Sequence, residues 1–203
     1  MSDIESNKVF KVIKKESLYK GFFSMNKYSI CHSKFSGGMT RVFERELLER
    51  GHAVAVVPYD PIKKKLVLIE QFRPGAMFDR ESPWLIEVPA GIIDKNEAPE
   101  VTVERELQEE TGLSCKEIKF ISKFFISPGG CTETISLYAC NLDIEEEKVR
   151  GIHGLDIENE DIRVTVKSLD EALQMIEDGE ICNAMTIVGI QYIALHPNIF
   201  QKL

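Results

Sequence analysis

Two segments rich in valine and isoleucine constrain the fold of this chain most strongly. Residues 52–58 read HAVAVVP and residues 65–72 read KLVLIEQF, and the turn-forming sequence Tyr59-Asp60-Pro61 follows the first of them. Branched apolar residues at successive positions are typical of strands that are buried within a sheet. The pattern therefore predicts a buried β-hairpin.

Strands and helices alternate along the rest of the chain. Further strands are predicted at residues 84–89, 118–126 and 134–142. Helices are predicted over residues 97–111, 168–179 and 183–195. Asn96 is expected to cap the first helix and Gly112 to end it, while Ser168 and Glu171 form a capping box for the second. This order predicts an α+β or α/β fold with a mixed β-sheet between helices.

The first 50 residues differ in character from the rest. Residues 9–13 alternate with lysines and residues 21–35 are rich in aromatic and β-favouring residues, so two or three strands are predicted, ending near the turn Ser36-Gly37-Gly38. We expect residues 1–50 to form a β-rich arm and residues 51–203 to form the main domain. An equal alternative is that the arm is an integral part of one sheet.

Composition and charge limit the classes of partner. With 203 residues, of which 43% are hydrophobic, the chain has the size of one large domain or of one domain with a small extension. Its 25 Lys and Arg against 33 Asp and Glu give a formal charge of -8, which would repel a phosphate backbone. Nucleic-acid binding is therefore disfavoured, and an anionic small substrate would need a countercharge such as Mg²⁺.

The cysteines and the amino-terminal sequence indicate a cytoplasmic protein. The five cysteines are an odd number, without a CxxC pair or a histidine at zinc spacing, and are expected to be reduced thiols. Neither a signal peptide nor an apolar stretch approaching the roughly 18 residues of a membrane span is visible. We therefore expect no membrane association.

Three carboxylates fall on one face of the helix predicted over residues 97–111. Glu106, Glu109 and Glu110 have helical offsets of 0, 3 and 4, which places them within an arc of roughly 100°. Arg105 can compensate Glu109 through an i,i+4 contact and still leave the cluster negative. Clustered hard oxygen ligands suit Mg²⁺ or Mn²⁺. The alternative is an acidic face that is merely solvated.

The segment 91–113, GIIDKNEAPEVTVERELQEETGL, resembles the Nudix box, GX5EX7REUXEEXGU, where U is aliphatic. Every fixed position is filled. The sequence outside the box is similar to the ADP-ribose pyrophosphatase branch of that family. The residues that carry this similarity lie at 70–73, 84–87, 89–91, 127–130, 133 and 151–161. The resemblance implies a Nudix fold, a Nudix catalytic domain at residues 51–203, and hydrolysis of a nucleoside diphosphate linked to another moiety.

The resemblance also implies the metal ligands and the catalytic base. Divalent ions would be held by the carbonyl of Ala90, by the box carboxylates Glu106 and Glu110, and by Glu160 of a distal acidic loop. Glu109 would contribute directly or through water. Glu158 matches the base that deprotonates the attacking water, and its segment LDIENED is a predicted loop, where a carboxylate can turn toward a bound substrate.

The positions implied for substrate binding are spread along the chain. Arg73 matches an arginine that contacts the diphosphate, and its guanidinium suits phosphate oxygens. Phe22, with Phe23 as an alternative, and Arg45 match residues of the arm that hold adenine from the partner subunit, which implies a homodimer with exchanged arms. The turn that contains Ser127 and Gly129 can offer backbone N–H groups to a ribose, and Glu133 can accept hydrogen bonds from ribose hydroxyls. Ile92 is a further implied substrate-binding position.

The function implied is Mg²⁺-dependent hydrolysis of ADP-ribose to AMP and ribose 5-phosphate, with Mn²⁺ as a possible replacement. One alternative is a hydrolase for another nucleoside diphosphate sugar such as GDP-mannose, because the box does not determine the second moiety. Another is a sensor that binds ADP-ribose without cleaving it. A sensor is expected to lack box carboxylates, whereas Glu106, Glu109 and Glu110 are all present.

Overall fold

The computed structural model describes residues 8–79 and 81–201, which form two compact units. The first consists of the described part of Met1–Gly51 together with Phe125–Glu133. The second consists of His52–Phe124 and the described part of Thr134–Leu203. The segment Phe125–Glu133 thus groups with the amino-terminal residues. The division into an arm of residues 1–50 and a domain of residues 51–203 stays a prediction.

The first unit is an antiparallel sheet of three strands in the order β1-β2-β3. These strands are β1 Phe10–Lys20, β2 Ser24–His32 and β3 Phe43–Glu49. The third strand follows the turn at which the sequence analysis expected the strands to end. Leu48 of β3 donates its N–H to the Gly130 carbonyl at 2.8 Å and accepts from the Thr132 N–H at 3.0 Å, which ties the segment 125–133 to this sheet.

The second unit is built around a mixed sheet of eight strands. They are β4 Ala53–Asp60, β5 Lys65–Phe72, β6 Trp84–Glu87, β7 Ala90–Ile92, β8 Glu117–Phe125, β9 Thr134–Asn141, β10 Gly151–His153 and β11 Ile162–Ser168. Six follow the order β10-β11-β5-β4-β9-β8, while β6 pairs with β5 and β7 with β4. The β4 and β9 strands are parallel and β4 and β5 are antiparallel, so the sheet is mixed as predicted.

In the described part of the chain, four α-helices accompany this sheet: α1 Pro99–Thr111, α2 Glu146–Val149, α3 Leu169–Glu177 and α4 Ala184–Leu195. Successive residues of β4 point to opposite faces and are fully buried on both. Val57 and Tyr59 pack in one apolar cluster with residues of α3 and α4. Val54 and Val56 pack in another with Leu107 of α1. The predicted buried hairpin is confirmed, and helices cover both of its faces.

The ends of the helices follow the predicted signals with one exception. Gly112 ends α1 with a φ of 71°, and Ser168 and Glu171 form the predicted capping box of α3. The cap of α1 is Ala98, not Asn96. Asn96 instead has a φ of 72° in the preceding turn, a conformation that asparagine adopts more readily than most residues. Since Pro99 occupies the first helical turn, the chain enters the helix two residues later than expected.

Two cysteines contradict the expectation of reduced thiols. Cys115 and Cys140 are joined in a disulfide whose Cα atoms are 5.7 Å apart, while Cys31, Cys131 and Cys182 are free. The partners are 25 residues apart, in the loop after α1 and in β9, so no local motif predicts the pair.

Among the described residues, no helix is both long and apolar enough to cross a membrane. The cytoplasmic location stays a prediction.

Candidate active site

Glu106 of α1 lies directly against Gly91 of β7. A Cβ atom built on Gly91 would overlap the Glu106 carboxylate, so any larger residue would displace that carboxylate or the strand. Gly91 pairs with Val54 of β4, which fixes the strand to the centre of the sheet. The first glycine of the box is therefore required because the carboxylate rests on the backbone of the strand.

Glu110 reaches the same strand one helical turn later. It is 2% exposed, and its Oε2 atom accepts a hydrogen bond from the Ala90 N–H at 3.0 Å. Burial raises the pKa of Glu110 well above its ordinary value, and the nearby Glu106 adds to the increase. The Ala90 N–H opposes the shift without cancelling it. The helix offset predicted from the sequence thus brings two carboxylates to one short segment of backbone.

Arg105 lies at the centre of the acidic cluster. Its Nη1 atom is 2.8 Å from Glu106 Oε1 and 3.1 Å from Glu109 Oε2, and its Nη2 atom is 3.3 Å from Glu97 Oε2. The predicted Arg105–Glu109 contact is confirmed. Nη2 also donates to the carbonyl of Ile92 at 3.5 Å. Burial opposes the Arg105 charge, but Glu97 and Glu106 outweigh it and raise the pKa of the guanidinium.

The electrostatics of this cluster favour an added cation. Burial raises the pKa of Glu106 to about 7, Arg105 opposes the change, and the charges of Glu109 and Glu160 increase it. In the described ranges, no three His, Cys, Asp or Glu side chains already surround a common metal position. Arg105 occupies the oxygens of Glu106 and Glu109 instead. The donor set of carboxylates beside a carbonyl is nevertheless one that hard divalent cations prefer.

The loop between β10 and β11 carries the distal acidic residues. Gly154 donates its N–H to the carbonyl of Glu109 at 3.2 Å, which ties this loop to α1. Gly154 has a φ of 103° and packs on the Cβ atom of Glu160. Oε2 of Glu160 accepts from the Leu155 N–H at 3.2 Å. The loop therefore holds Glu160 near enough to the box carboxylates to affect the pKa of Glu106 and Glu110.

Glu158 lies in the same loop and is exposed to solvent. It ends the short 3-10 turn Asp156–Glu158, which Asn159 closes with a φ of 56°. The turn is closed by its own backbone: Glu158 donates its N–H to the carbonyl of Leu155 at 2.9 Å, and the Asn159 N–H donates to the carbonyl of Asp156 at 3.1 Å. The structure thus fixes the backbone of Glu158 and leaves its carboxylate at the surface.

Arg73 follows β5 and is held by a residue that the sequence analysis did not assign a role. Its Nε atom donates to Oε2 of Glu87 at 2.7 Å, and Glu87 is only 1% exposed. The charge of Arg73 lowers the pKa of Glu110, so Arg73 belongs to the same site. An acidic residue inside the apolar strand WLIEVP was the signal that could have identified Glu87.

Gln71 is a second buried polar residue near Arg73 to which no role was assigned from the sequence. It precedes Arg73 by two positions, so both side chains leave the backbone on the same side of the chain. Gln71 is buried, and its Nε2 atom has no hydrogen-bond partner within residues 8–79 and 81–201. A buried donor without a partner is uncommon.

Ile92 is in β7 of the second unit, whereas the predicted substrate positions other than Ile92 and Arg73 belong to the first unit. The Phe22 side chain is 87% exposed, and its ring centroid lies 4.9 Å from that of Phe23. The Arg45 guanidinium lies 4.7 Å from the centroid of the Phe43 ring and donates to the carbonyl of Glu44. Phe22 and Arg45 are therefore exposed, while Phe23 and Phe43 are half-buried.

The loop 127–133 completes the predicted set. The carbonyl of Ser127 accepts from the N–H groups of Gly130 and Cys131, which forms a tight exposed turn through Gly129. Glu133 is 6% exposed and lies 3.2 Å from Nε of Arg50, a residue that the sequence analysis did not select. The roles of these residues in sugar binding stay predictions.

Comparison with known proteins identifies the family. A family model described as the NUDIX domain matches residues 49–182. The chain belongs to the Nudix family. Its mixed sheet and the box helix α1 are those that the sequence predicted, and Nudix hydrolases generally use divalent metal ions.

Curated relatives resemble this Nudix protein over nearly its whole length. An ADP-ribose pyrophosphatase of Escherichia coli (strain K12) is 43% identical over 91% of this chain and 88% of its own. An ADP-ribose pyrophosphatase of Haemophilus influenzae is 39% identical over 97% and 92%. A GDP-mannose pyrophosphatase of Shigella flexneri is 32% identical over 91% and 94%.

A solved structure shares the fold. The crystal structure of an ADP compounds hydrolase superimposes with a TM-score of 0.65 and covers 92% of each chain, at 18% sequence identity. At this identity the likeness speaks for the fold alone. The predicted Nudix fold is confirmed.

Proposed function

We propose that this protein hydrolyses the diphosphate bond of ADP-ribose and releases AMP and ribose 5-phosphate. The observation that carries the proposal is the burial of the Glu106 and Glu110 carboxylates against the backbone of Ala90 and Gly91 in β7. The positive charges nearby do not offset this burial, so the pKa of both carboxylates is raised. Relatives that are named ADP-ribose pyrophosphatases, at 39% and 43% identity, support ADP-ribose as the substrate.

The cation we propose is Mg²⁺, with Mn²⁺ as a possible replacement. Its ligands would be the carbonyl of Ala90 and the carboxylates of Glu106, Glu109, Glu110 and Glu160. When bound, such a cation neutralises the phosphate oxygens and lowers the pKa of a bound water. Hard oxygen donors support this choice over a softer metal. Arg105 would have to release part of its contact with Glu106 and Glu109, so we infer that this residue balances the cluster before the cation binds.

Two further residues of the chain would act on the substrate. Arg73 would hold the diphosphate with its terminal nitrogens, because Glu87 already occupies its Nε atom. Glu158 would accept the proton of the attacking water while the water oxygen forms a bond to phosphorus and the bridging oxygen leaves with its electron pair. The exposed position of Glu158 supports this role, since its side chain is free to turn toward the water.

The remaining predicted positions would bind the nucleoside and the sugar. We propose that Phe22 and Arg45 hold adenine in the partner subunit of a homodimer with exchanged arms, and that Ser127, Gly129 and Glu133 contact the sugar. Ile92 is proposed as a further substrate-binding residue. The exposed apolar side chains of β1, including Phe10, Ile13 and Tyr19, support pairing with another chain.

Light scattering after size exclusion is expected to give a mass of twice the 23.1 kDa of one chain. A monomer at micromolar concentration would contradict the dimer.

A substrate panel tests the activity. With Mg²⁺ present, we expect AMP from ADP-ribose, at a kcat/KM at least about tenfold above that for GDP-mannose, because the two substrates differ in base contacts worth about 1.4 kcal/mol or more. The 32% identity with a GDP-mannose pyrophosphatase supports the alternative, which predicts GMP as the dominant product. Binding of ADP-ribose without any AMP would indicate a sensor.

A further inference from the structure

Glu87 is a buried carboxylate at the end of β6, and two side chains from distant parts of the chain hold it. Arg73 Nε donates to its Oε2 atom at 2.7 Å, and Asn183 Nδ2 donates to its Oε1 atom at 2.5 Å. A buried charge is stable only when it is paired and hydrogen-bonded on its remaining lone pairs. Glu87 therefore connects Arg73 with the amino-terminal end of α4.

Asn183 uses both ends of its amide. Its Oδ1 atom accepts from the Thr186 N–H at 3.2 Å, which caps α4, and from the Thr186 hydroxyl at 3.3 Å. Because the Glu87 carboxylate can only accept and the Thr186 N–H can only donate, a reversed amide would lose both contacts. The side chain of Asn183 therefore has one orientation, with its NH₂ group on Glu87.

Thr186 also holds the backbone just before β7, the strand that contains the first glycine of the box. The Thr186 hydroxyl oxygen accepts from the Val88 N–H at 3.0 Å, and Thr186 and Val88 are fully buried. Val88 lies between Glu87 and the Pro89-Ala90 segment that leads into β7. The amino-terminal end of α4 thus holds both the Glu87 carboxylate and the backbone next to it.

We propose that Asn183 is a positioning residue for Arg73 and acts through Glu87. This inference rests on the proposed function, in which the terminal nitrogens of Arg73 bind the diphosphate. A hydrogen bond at Nε fixes the plane of a guanidinium, and the terminal nitrogens then point in a defined direction. The amide of Asn183 fixes the Glu87 carboxylate in turn. The side chain of Asn183 is hydrogen-bonded to Glu87 and Thr186, neither of which is a proposed metal ligand.

The variant Asn183→Ser separates the two roles of this residue. Serine keeps an oxygen that can cap α4, but its side chain is too short to reach Glu87. We expect the KM for ADP-ribose to rise roughly tenfold, as for other residues that orient a binding group, with kcat changed by less than about threefold. The dissociation constant of the non-hydrolysable α,β-methylene analogue of ADP-ribose is expected to rise by the same factor.

Two further variants exclude a general loss of structure. Ser168→Ala removes the cap of α3, which takes no part in the Glu87 contacts, and is expected to lower the melting temperature with KM unchanged. The double variant Glu87→Gln with Asn183→Asp exchanges amide and carboxylate, so that residue 87 donates and residue 183 accepts. It is expected to bring KM back to within about threefold of the parent, since the contact is restored.

The outcomes separate this inference from the proposed function. An unchanged KM in Asn183→Ser, or an equal rise in Ser168→Ala, would overturn the role of Asn183 and leave ADP-ribose hydrolysis intact. If the parent protein fails to cleave ADP-ribose, the proposed function is wrong, and the ¹⁵N-edited Nε–H signal of Arg73, assigned with Arg73→Lys, still tests the coupling. We expect Asn183→Ser to displace that signal and Ser168→Ala to leave it in place; a signal unmoved by both would refute the inference.

Discussion

Glu106→Gln is expected to lower kcat for ADP-ribose about a thousandfold, because a cation that neutralises phosphate oxygens contributes several kcal/mol and each 1.36 kcal/mol is a factor of ten. Glutamine keeps the shape that rests on Gly91 but removes the charge that would bind the cation. Steady-state production of AMP with saturating Mg²⁺ measures the effect. The matched control is Glu104→Gln, since Glu104 lies on the exposed side of the same helix.

The same variant is expected to behave differently in a stability assay. The raised pKa of Glu106, about 7, means that its contribution to stability is present in acid and is lost as the pH rises from its ordinary value near 4.5 through 7. At pH 8 in EDTA, Glu106→Gln should therefore melt at or above the parent temperature. Added Mg²⁺ should raise the melting temperature of the parent and of Glu104→Gln more than that of Glu106→Gln. Retention of more than about a tenth of kcat would contradict a role in cation binding.

Local sequence patterns predicted the strands and helices because the residues that favour each element lie within it or next to its ends. Apolar runs identified β4 and β5, and the signals at Ser168, Glu171 and Gly112 identified helix ends. The predicted cap of α1 was wrong because the helix begins at Pro99, while Asn96 is held in the preceding turn with a φ of 72°. The pairing of β6 with β5 and of β7 with β4 has no local signature, since it depends on contacts between separate segments of the chain.

In the candidate active site, too, features within one helix were predicted from the sequence, whereas contacts between elements were not. The helix offsets of Glu106 and Glu110 were visible in the sequence, but their approach to Gly91 and Ala90 depends on how α1 packs against β7. Glu87 and Asn183 are 96 residues apart, and Cys115 and Cys140 are 25 apart, so neither pair can be identified from its neighbours in the chain. Physical arguments from one sequence reach side chains on one element, whereas contacts between elements need the tertiary structure.

Glu158→Gln is expected to lower kcat by about 10²- to 10⁴-fold, the range that a general base contributes. Glutamine fills the same exposed position in the loop but cannot take the proton of the attacking water. The Glu160 contacts with Leu155 and the tie between Gly154 and Glu109 involve no atom of the Glu158 side chain, so the loop is expected to keep its conformation. The rate of AMP formation, measured at saturating ADP-ribose and Mg²⁺, gives the effect directly.

Binding measurements distinguish a base from a ligand. If Glu158 acts only on the proton, the affinity of Glu158→Gln for the α,β-methylene analogue and for Mg²⁺ should stay within about threefold of the parent, while kcat falls. The neighbouring Asp156→Asn is the control, because Asp156 is also exposed in the same turn, and this variant should leave kcat unchanged. A parent-like kcat in Glu158→Gln would exclude it as the base, and a loss of Mg²⁺ affinity would place its carboxylate among the metal ligands instead.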